Sequence, residues 1–291
     1  LSIADLKSYD AVEIAAVCEC AGNSRGFFNP RVPGGQWANG AMGNALWKGA
    51  RLKDILGKAG VKDGAVQVRL NGADTALVPA TPKFMKSLDM DLAMSDDVLL
   101  AYSMNGADLP VLNGYPVRLI VPGYFGTYWV KMLNDIEVLA DPDQNFWMKT
   151  AYRIPADPCG CQQPGTTVKT VPIGHLTVRS FITSVQDGGR VPAGKPLTVT
   201  GIAFDGGYGI DRVLFSTDGG QHWLQASLGK DYGKYAFRQW RAHFTPDAGR
   251  QYVLASLAIN TIGEAQRPDN PVWNPGGYLR NTVETVRVSA A

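Results

Sequence analysis

Histidine is scarce in this chain, and charge is thin. Its three histidines, His175, His222 and His243, all fall in the second half of 291 residues. A His-rich metal site beside the first cysteines therefore cannot be drawn. Charged residues make up 19% of the chain, with 28 Lys and Arg against 26 Asp and Glu. The cations are scattered rather than gathered in runs, which leaves a nucleic-acid or other polyanion-binding surface without support. Long apolar runs are missing too. Stretches such as 117–122 and 253–259 fall well short of the roughly 20 residues that cross a bilayer, and no span is expected. The four cysteines form two close pairs, Cys18 with Cys20 and Cys159 with Cys161. Neither pair has the two-residue gap of zinc knuckles or dithiol redox proteins, which argues against structural zinc. No Cys-x-x-Cys-His and no glycine-rich nucleotide fingerprint occurs, so attached haem, flavin and nicotinamide lack a signal. Any metal held by Cys20 needs its other ligands from a cofactor. The sequence opens on Leu1 without a basic and apolar leader, so either a leader was removed or the sequence starts late.

What is present is a globular composition, 45% hydrophobic, enough for one large core or two ordinary ones. Through about residue 150, β-rich runs at 12–18, 65–70, 98–102, 117–121 and 129–138 alternate with helical or irregular segments such as 51–59. This is a mixed α+β pattern. Between about 156 and 170, proline and glycine gather around Cys159 and Cys161 in a composition that suits a linker. Beyond it come strands at 175–185, 197–204, 213–217, 237–244, 252–260 and 283–288. Turn clusters such as Asp187-Gly188-Gly189 and Asp218-Gly219-Gly220 separate them. That spacing fits an all-β sandwich, best in its immunoglobulin-like form. The expected division is an α+β catalytic domain over 1–160 and an immunoglobulin-like domain over 171–291.

The segment richest in chemistry is Cys18-Glu19-Cys20-Ala21-Gly22-Asn23-Ser24-Arg25. It follows an apolar run and therefore sits in a loop at the end of a strand. A thiolate at Cys20 gains from nearby Arg25 and from backbone N–H groups freed by Gly22. Taken by itself, a cysteine before Ala-Gly is more often a small buried apolar side chain. Cys-Ala-Gly-Asn-x-Arg, however, resembles the active-site signature of the sulfite oxidase family. Trp37-Ala38-Asn39-Gly40-Ala41-Met42, followed by Trp47-Lys48-Gly49-Ala50-Arg51-Leu52, is similar to the family's next block. Asn113-Gly114-Tyr115-Pro116-Val117-Arg118, Val121-Pro122-Gly123 and Trp129-Val130-Lys131 resemble its cofactor-binding stretch. Ser216-Thr217-Asp218-Gly219-Gly220-Gln221-His222-Trp223 and Val272-Trp273-Asn274-Pro275-Gly276-Gly277 resemble its immunoglobulin-like dimerisation domain. The matches run in order along nearly the whole chain.

The resemblance implies a molybdenum–molybdopterin cofactor with Cys20 as the protein's thiolate ligand, a soft donor that tunes the metal's redox behaviour. It implies that Arg118 and Lys131 hold the pterin's phosphate tail, Arg by bidentate hydrogen bonds and Lys as a point charge. Asn113 stands where animal members commonly carry His. Asp74 either contacts the pterin's ring donors or is a polar turn residue after Asn71-Gly72. For the substrate, Arg25 matches the family's sulfite-pocket arginine, Trp37 an aromatic wall, and Tyr152 the active-site tyrosine. Ala151 replaces the acidic residue that precedes this tyrosine in vertebrate members and Arg153 follows it, a departure toward a bacterial branch. A further substrate arginine and a histidine lie, in the family, upstream of where this sequence begins, so a missing N-terminal part is expected.

The implied activity is oxidation of sulfite to sulfate by oxygen-atom transfer, closest to bacterial periplasmic sulfite dehydrogenase. Electrons would pass to a c-type cytochrome, as a subunit or transient acceptor, and a homodimer is also open. Cys159 and Cys161 are compatible with an oxidising compartment. The rivals are a sister enzyme, sulfane dehydrogenase or a sulfoxide reductase, the latter generally without the second domain. Plant-type nitrate reductase, with further haem and flavin modules, is another. From a different class, the chain could be a non-catalytic fragment that keeps only a dimerisation surface.

Overall fold

A strand nine residues long, buried where it ends, sets the frame for everything that follows. The computed structural model describes residues 1–268 and 273–291. After a capped turn of helix, α1 (Ile3–Lys7), comes β1 (Ala11–Glu19), whose Ala16 and Val17 are fully buried. It pairs antiparallel with β2 (Met42–Arg51), from Ala11 opposite Ala50 to Glu19 opposite Met42. The chain then runs through α2 (Leu52–Ala59), β3 (Gln67–Gly72), β4 (Met85–Asp89), α3 (Met90–Ala93), β5 (Leu99–Met104) and β6 (Ala107–Asp108). β7 (Arg118–Ile120), β8 (Leu133–Leu139), α4 (Phe146–Lys149) and β9 (Arg153–Pro155) complete the first unit. One sheet has the order β1-β2-β5-β6, with β7 also on β5, and a second has the order β4-β3-β8.

The α+β expectation is met with much more strand than helix, since the longest helix, α2, has eight residues. The run at 129–138 is strand only from Leu133. Before it a 3-10 turn, Gly126–Tyr128, and the left-handed Met132 (φ 50°) bend the chain away. β2 is not among the expected strands, because Gly43, Asn44, Lys48 and Gly49 dilute its apolar alternation.

The proline- and glycine-rich segment is the loop of a hairpin in which β9 pairs with β10 (Thr170–Pro172), and Cys159 and Cys161 are joined in a disulfide within it. The second unit holds β11 (Arg179–Ile182), β12 (Gly189–Val191), β13 (Leu197–Phe204), β14 (Ile210–Ser216) and β15 (Leu224–Gln225). It continues with β16 (Ser227–Leu228), β17 (Arg238–Phe244), β18 (Gln251–Asn260) and β19 (Thr285–Ala290). They form two sheets, β11-β13-β17-β16 and β12-β19-β18-β14-β15, around a core that includes Val199, Val213, Phe215, Trp240 and Leu254. Each such side chain taken fully from water contributes about 1.5–3 kcal/mol.

The strand expected over 175–185 covers only Arg179–Ile182, because the preceding residues bind the first unit instead. Leu176 donates its N–H to the Gly123 carbonyl at 2.7 Å, and His175 bridges to Tyr124. Ile173, Leu176, Phe181 and Phe204 join the first unit's core. The two units thus share buried apolar surface, and the end of β1 lies where they meet.

Candidate active site

Two cysteines at the end of β1 have opposite fates. The side chain of Cys18 is withdrawn from water, and burial pushes its thiol up to about 11 against the pull of Arg118. Cys20, one residue past the strand, is exposed and unpaired with any other cysteine. Its N–H donates to the Ala41 carbonyl at 2.9 Å, and its carbonyl accepts from Asn23 at 2.9 Å. The turn passes through Ser24 in the left-handed region (φ 65°) into a 3-10 turn, Arg25–Phe27.

Arg25 is held on several sides by neutral groups. Its Nε donates to the Gly276 carbonyl at 3.1 Å and Nη1 to the Gly35 carbonyl at 3.3 Å. Its guanidinium lies over the Tyr278 ring, 5.2 Å from the centroid. Glycines make the room: a Cβ on Gly34 would come within 3.0 Å of Nη1, and one on Gly277 within 2.7 Å of Arg25 Cγ. Nη2 has no hydrogen-bond partner among the described residues.

Tyr152 sits between α4 and β9 with φ 53°, a backbone state unfavourable for a bulky side chain and therefore one the surroundings enforce. Its ring stacks on Tyr278, centroids 5.9 Å apart and planes at 21°. Lys86 Nζ lies 5.5 Å from the Tyr152 ring and 4.4 Å from that of Tyr128, and donates to the Trp147 carbonyl at 2.9 Å. Burial raises the Tyr152 phenol above its ordinary value, and the Cys20 charge raises it further, while Thr127 and Arg25 pull it down. Arg153 is a structural neighbour: Nη1 bonds the Met148 carbonyl at 2.7 Å and Nη2 the Thr170 carbonyl at 2.6 Å.

Behind this surface lies a buried charge cluster. Arg179, on β11, is 2% exposed, and its Nη1 reaches Glu19 Oε1 at 3.3 Å while its Nη2 reaches Glu284 Oε1 at 2.7 Å. The same Nη2 donates to Ser24 Oγ and Asn39 Oδ1. Asn23 Nδ2 donates to Glu19 at 2.8 Å and its Oδ1 accepts from the Ala41 N–H at 3.0 Å. The loop carrying Cys20 is thus bolted to the second unit by groups adjacent to it.

Of the residues expected to meet a cofactor, Arg118 and Lys131 flank Gly114, next to Asn113: a Cβ on it would lie 3.0 Å from Arg118 Cβ and 3.1 Å from Lys131 Cβ. Arg118 opens β7. It is buried against the faces of Trp47 and Trp129, and Nη1 and Nη2 are spent on the carbonyls of Asn113 (3.1 Å) and Trp129 (2.9 Å). One N–H of each terminal nitrogen is thereby used, which fixes the guanidinium plane and leaves its other N–H groups. Lys131 donates to the Leu112 carbonyl at 3.2 Å. Asp74 is exposed after β3, next to Ala73, whose N–H donates to the Met132 carbonyl at 2.9 Å. Trp37 is 53% exposed, and its carbonyl accepts from the Gly26 N–H. Of the motif at 272–277, Val272 lies outside the described residues.

Sequence reading assigns no role to Glu19, Lys86, Arg179, Tyr278 or Glu284. A carboxylate closing an apolar run was the one local sign, at Glu19. The other four come together with the site only through folding.

Residues 1–147 match the family model of the oxidoreductase molybdopterin binding domain, and 170–290 that of the Mo-co oxidoreductase dimerisation domain. Sulfite oxidase of Gallus gallus is 35% identical over 96% of this chain and 63% of its own. That of Arabidopsis thaliana is 32% identical over 97% of this chain and 77% of its own. Mitochondrial sulfite oxidase of Homo sapiens is 33% identical over 99% of this chain and 54% of its own. The chain therefore spans about half the length of the mammalian relatives it matches. The crystal structure of the sulfane dehydrogenase SoxCD from Paracoccus pantotrophus superposes with a TM-score of 0.84 at 26% identity, over 99% of this chain and 72% of the other. Among the described residues, no helix is long and apolar enough to cross a membrane.

Proposed function

Because this chain belongs to the sulfite oxidase family of molybdopterin oxidoreductases, we propose that it oxidises sulfite to sulfate and passes the electrons to a c-type cytochrome. The observation that carries the reading is the grouping of an exposed Cys20 thiol with Arg25, whose Nη2 is unpartnered among the described residues, and with the Tyr152 phenol. The donor set fits a molybdenum cofactor. Among the described residues the one cluster of potential metal-ligating side chains is Asp157, Cys159 and Cys161, whose sulfurs are tied up in a disulfide. Cys20 stands outside it as a solitary soft donor, which suits a metal whose other ligands come from a dithiolene. Gly114 adds a cradle: a Cβ there would lie 3.0 Å from Arg118 Cβ and 3.1 Å from Lys131 Cβ, closing the space between the two cations.

When bound, the cofactor supplies the two-electron redox chemistry and the oxygen atom that sulfite gains. Asn113, Arg118 and Lys131 would hold its anionic tail, and Asp74 would meet the pterin's ring donors. Sulfite and water become sulfate, two protons and two electrons. Arg25 neutralises the entering anion and orients it through Nη2. Tyr152, kept protonated by its surroundings, donates a hydrogen bond to a substrate oxygen. Both groups are fixed before substrate arrives, so little reorganisation opposes charge movement. Trp37, at the rim, limits the approach to small anions.

We place this chemistry in the periplasm and divide the chain into a catalytic part over 1–160 and a second part over 171–291. The two facing sheets of the latter suit an immunoglobulin-like sandwich and a homodimer. A second reading, oxidation of sulfane sulfur, is favoured by the similarity to SoxCD. The deciding experiment combines metal analysis with reduction of cytochrome c by sulfite, for the wild type and for Cys20→Ser. About one molybdenum per chain and activity lost in the variant are expected. Molybdenum with turnover of a sulfane donor but not of sulfite would move the substrate to the second reading. No molybdenum, from a host that makes the cofactor, would overturn both.

A further inference from the structure

Tyr278, in the second unit, touches both side chains assigned to the substrate. Its ring stacks on Tyr152 at 5.9 Å and carries the Arg25 guanidinium on its face at 5.2 Å. The two residues before it complete the hold, Gly276 through its carbonyl on Arg25 Nε and Gly277 (φ +61°) by leaving Arg25 Cγ its space. The turn is itself tightly made. Fully buried Asn274 accepts the Tyr278 N–H at 3.0 Å and donates to the Tyr278 carbonyl at 2.9 Å and to the Gly160 carbonyl at 3.1 Å. Trp273 Nε1, in the same loop, donates to the Pro30 carbonyl at 2.8 Å, across to the segment that follows Arg25.

We propose that Tyr278 is a positioning residue of the oxyanion pocket, its ring setting the orientation of Arg25 and Tyr152. The inference rests on the reading of those two residues as the substrate's partners. An arginine has many rotamers, and neutral carbonyls fix its nitrogens without fixing the plane of its guanidinium. A π face does fix the plane, and it does so without cancelling the charge. Arg25 forms no ion pair among the described residues, so its full charge is left for an anion. The same ring limits the tilt of Tyr152 by stacking. In this way the second unit sets how tightly the site holds an oxyanion, with no contact to the metal required of it.

The test uses the full chain loaded with cofactor. Sulfate, the product anion, is titrated by calorimetry without turnover, and KM and kcat for sulfite are measured alongside. Tyr278→Leu is expected to weaken sulfate binding and raise KM roughly tenfold, with kcat changing less. Tyr278→Phe, which keeps the ring, recovers most of that loss. In an Arg25→Gln background Tyr278→Leu costs clearly less than in the wild type, since the share acting through Arg25 is already gone and only that through Tyr152 remains. Thermal unfolding and molybdenum content check each variant, and if the leucine variant does not fold, Tyr278→Met, also without a ring, takes its place with the same expected direction. If Tyr278→Leu binds sulfate like the wild type while Arg25→Gln does not, the positioning role fails and the substrate reading stands. If Tyr278→Phe loses as much as Tyr278→Leu, the hydroxyl acts directly and the ring-positioning role is overturned. If Arg25→Gln binds sulfate normally, the substrate reading itself fails and takes this inference with it.

Discussion

Lys86 is buried between the rings of Tyr128 and Tyr152, and burial, reinforced by the charge of Arg153, lowers its ammonium from 10.5 to about 7. An unfolded chain keeps that proton until about pH 10.5, so from about 7 upward the unfolded state binds more protons than the folded one. Stability contributed at this position therefore climbs as pH rises from about 7 toward 10.5, and is lowest below 7, where the buried amine is charged. The π faces on either side offset part of the cost. Lys86→Met is expected to stabilise the protein near pH 6 and to lose most of that gain by about pH 9.5, as read by urea unfolding at the two values. A pH-independent effect would mean that the amine's charge is not what the fold works against. Cys20, Arg25 and Tyr152 are legible at this scale because each sits in a short motif. Lys86 and Tyr278 are not, since an isolated lysine or tyrosine in sequence carries no mark of the ring or guanidinium it will meet.

The strands show why some elements are easy to read and others are not. β1 and β13 run almost where their apolar patterns place them, because a buried face demands regular apolar positions. β2 hides behind its glycines, and one of those explains the Trp-Lys-Gly motif. A Cβ on Gly49 would stand 2.6 Å from Ala101 Cα, where β2 and β5 approach at a register shift between Lys48 and Gly49. Gly49→Ala should cost about 1–3 kcal/mol of stability by forcing the two strands apart, and a shift in urea midpoint measures it. An unchanged midpoint would mean that the strands have slack. The hairpin joining β9 and β10 was legible only as a linker, because proline and glycine report flexibility of composition and not that Thr170–Pro172 returns to pair with Arg153–Pro155.

At the scale of the molecule, the decisive contacts are those that sequence cannot display. Arg179 meets Glu19 across 160 positions and Glu284 across 105. No periodicity links such residues, and only the docking of the two units brings them together. Arg179→Met leaves Glu19 buried without a counter-ion, while Glu284 keeps Arg280 at 3.4 Å, and should cost about 3–5 kcal/mol. The expected outcome is a large fall in urea midpoint together with lost molybdenum, and retention of both would show that the cluster is dispensable. The arrangement also fixes an order of events. A ribosome releases the Cys20 loop early, whereas Arg179, the Gly276 carbonyl, Tyr278 and Glu284, which hold that loop in shape, emerge much later. A growing chain thus has the thiol long before it has a binding site. Cofactor capture becomes a step that follows synthesis, and a chain cut short anywhere before Glu284 carries the Cys20 thiol with no pocket built around it.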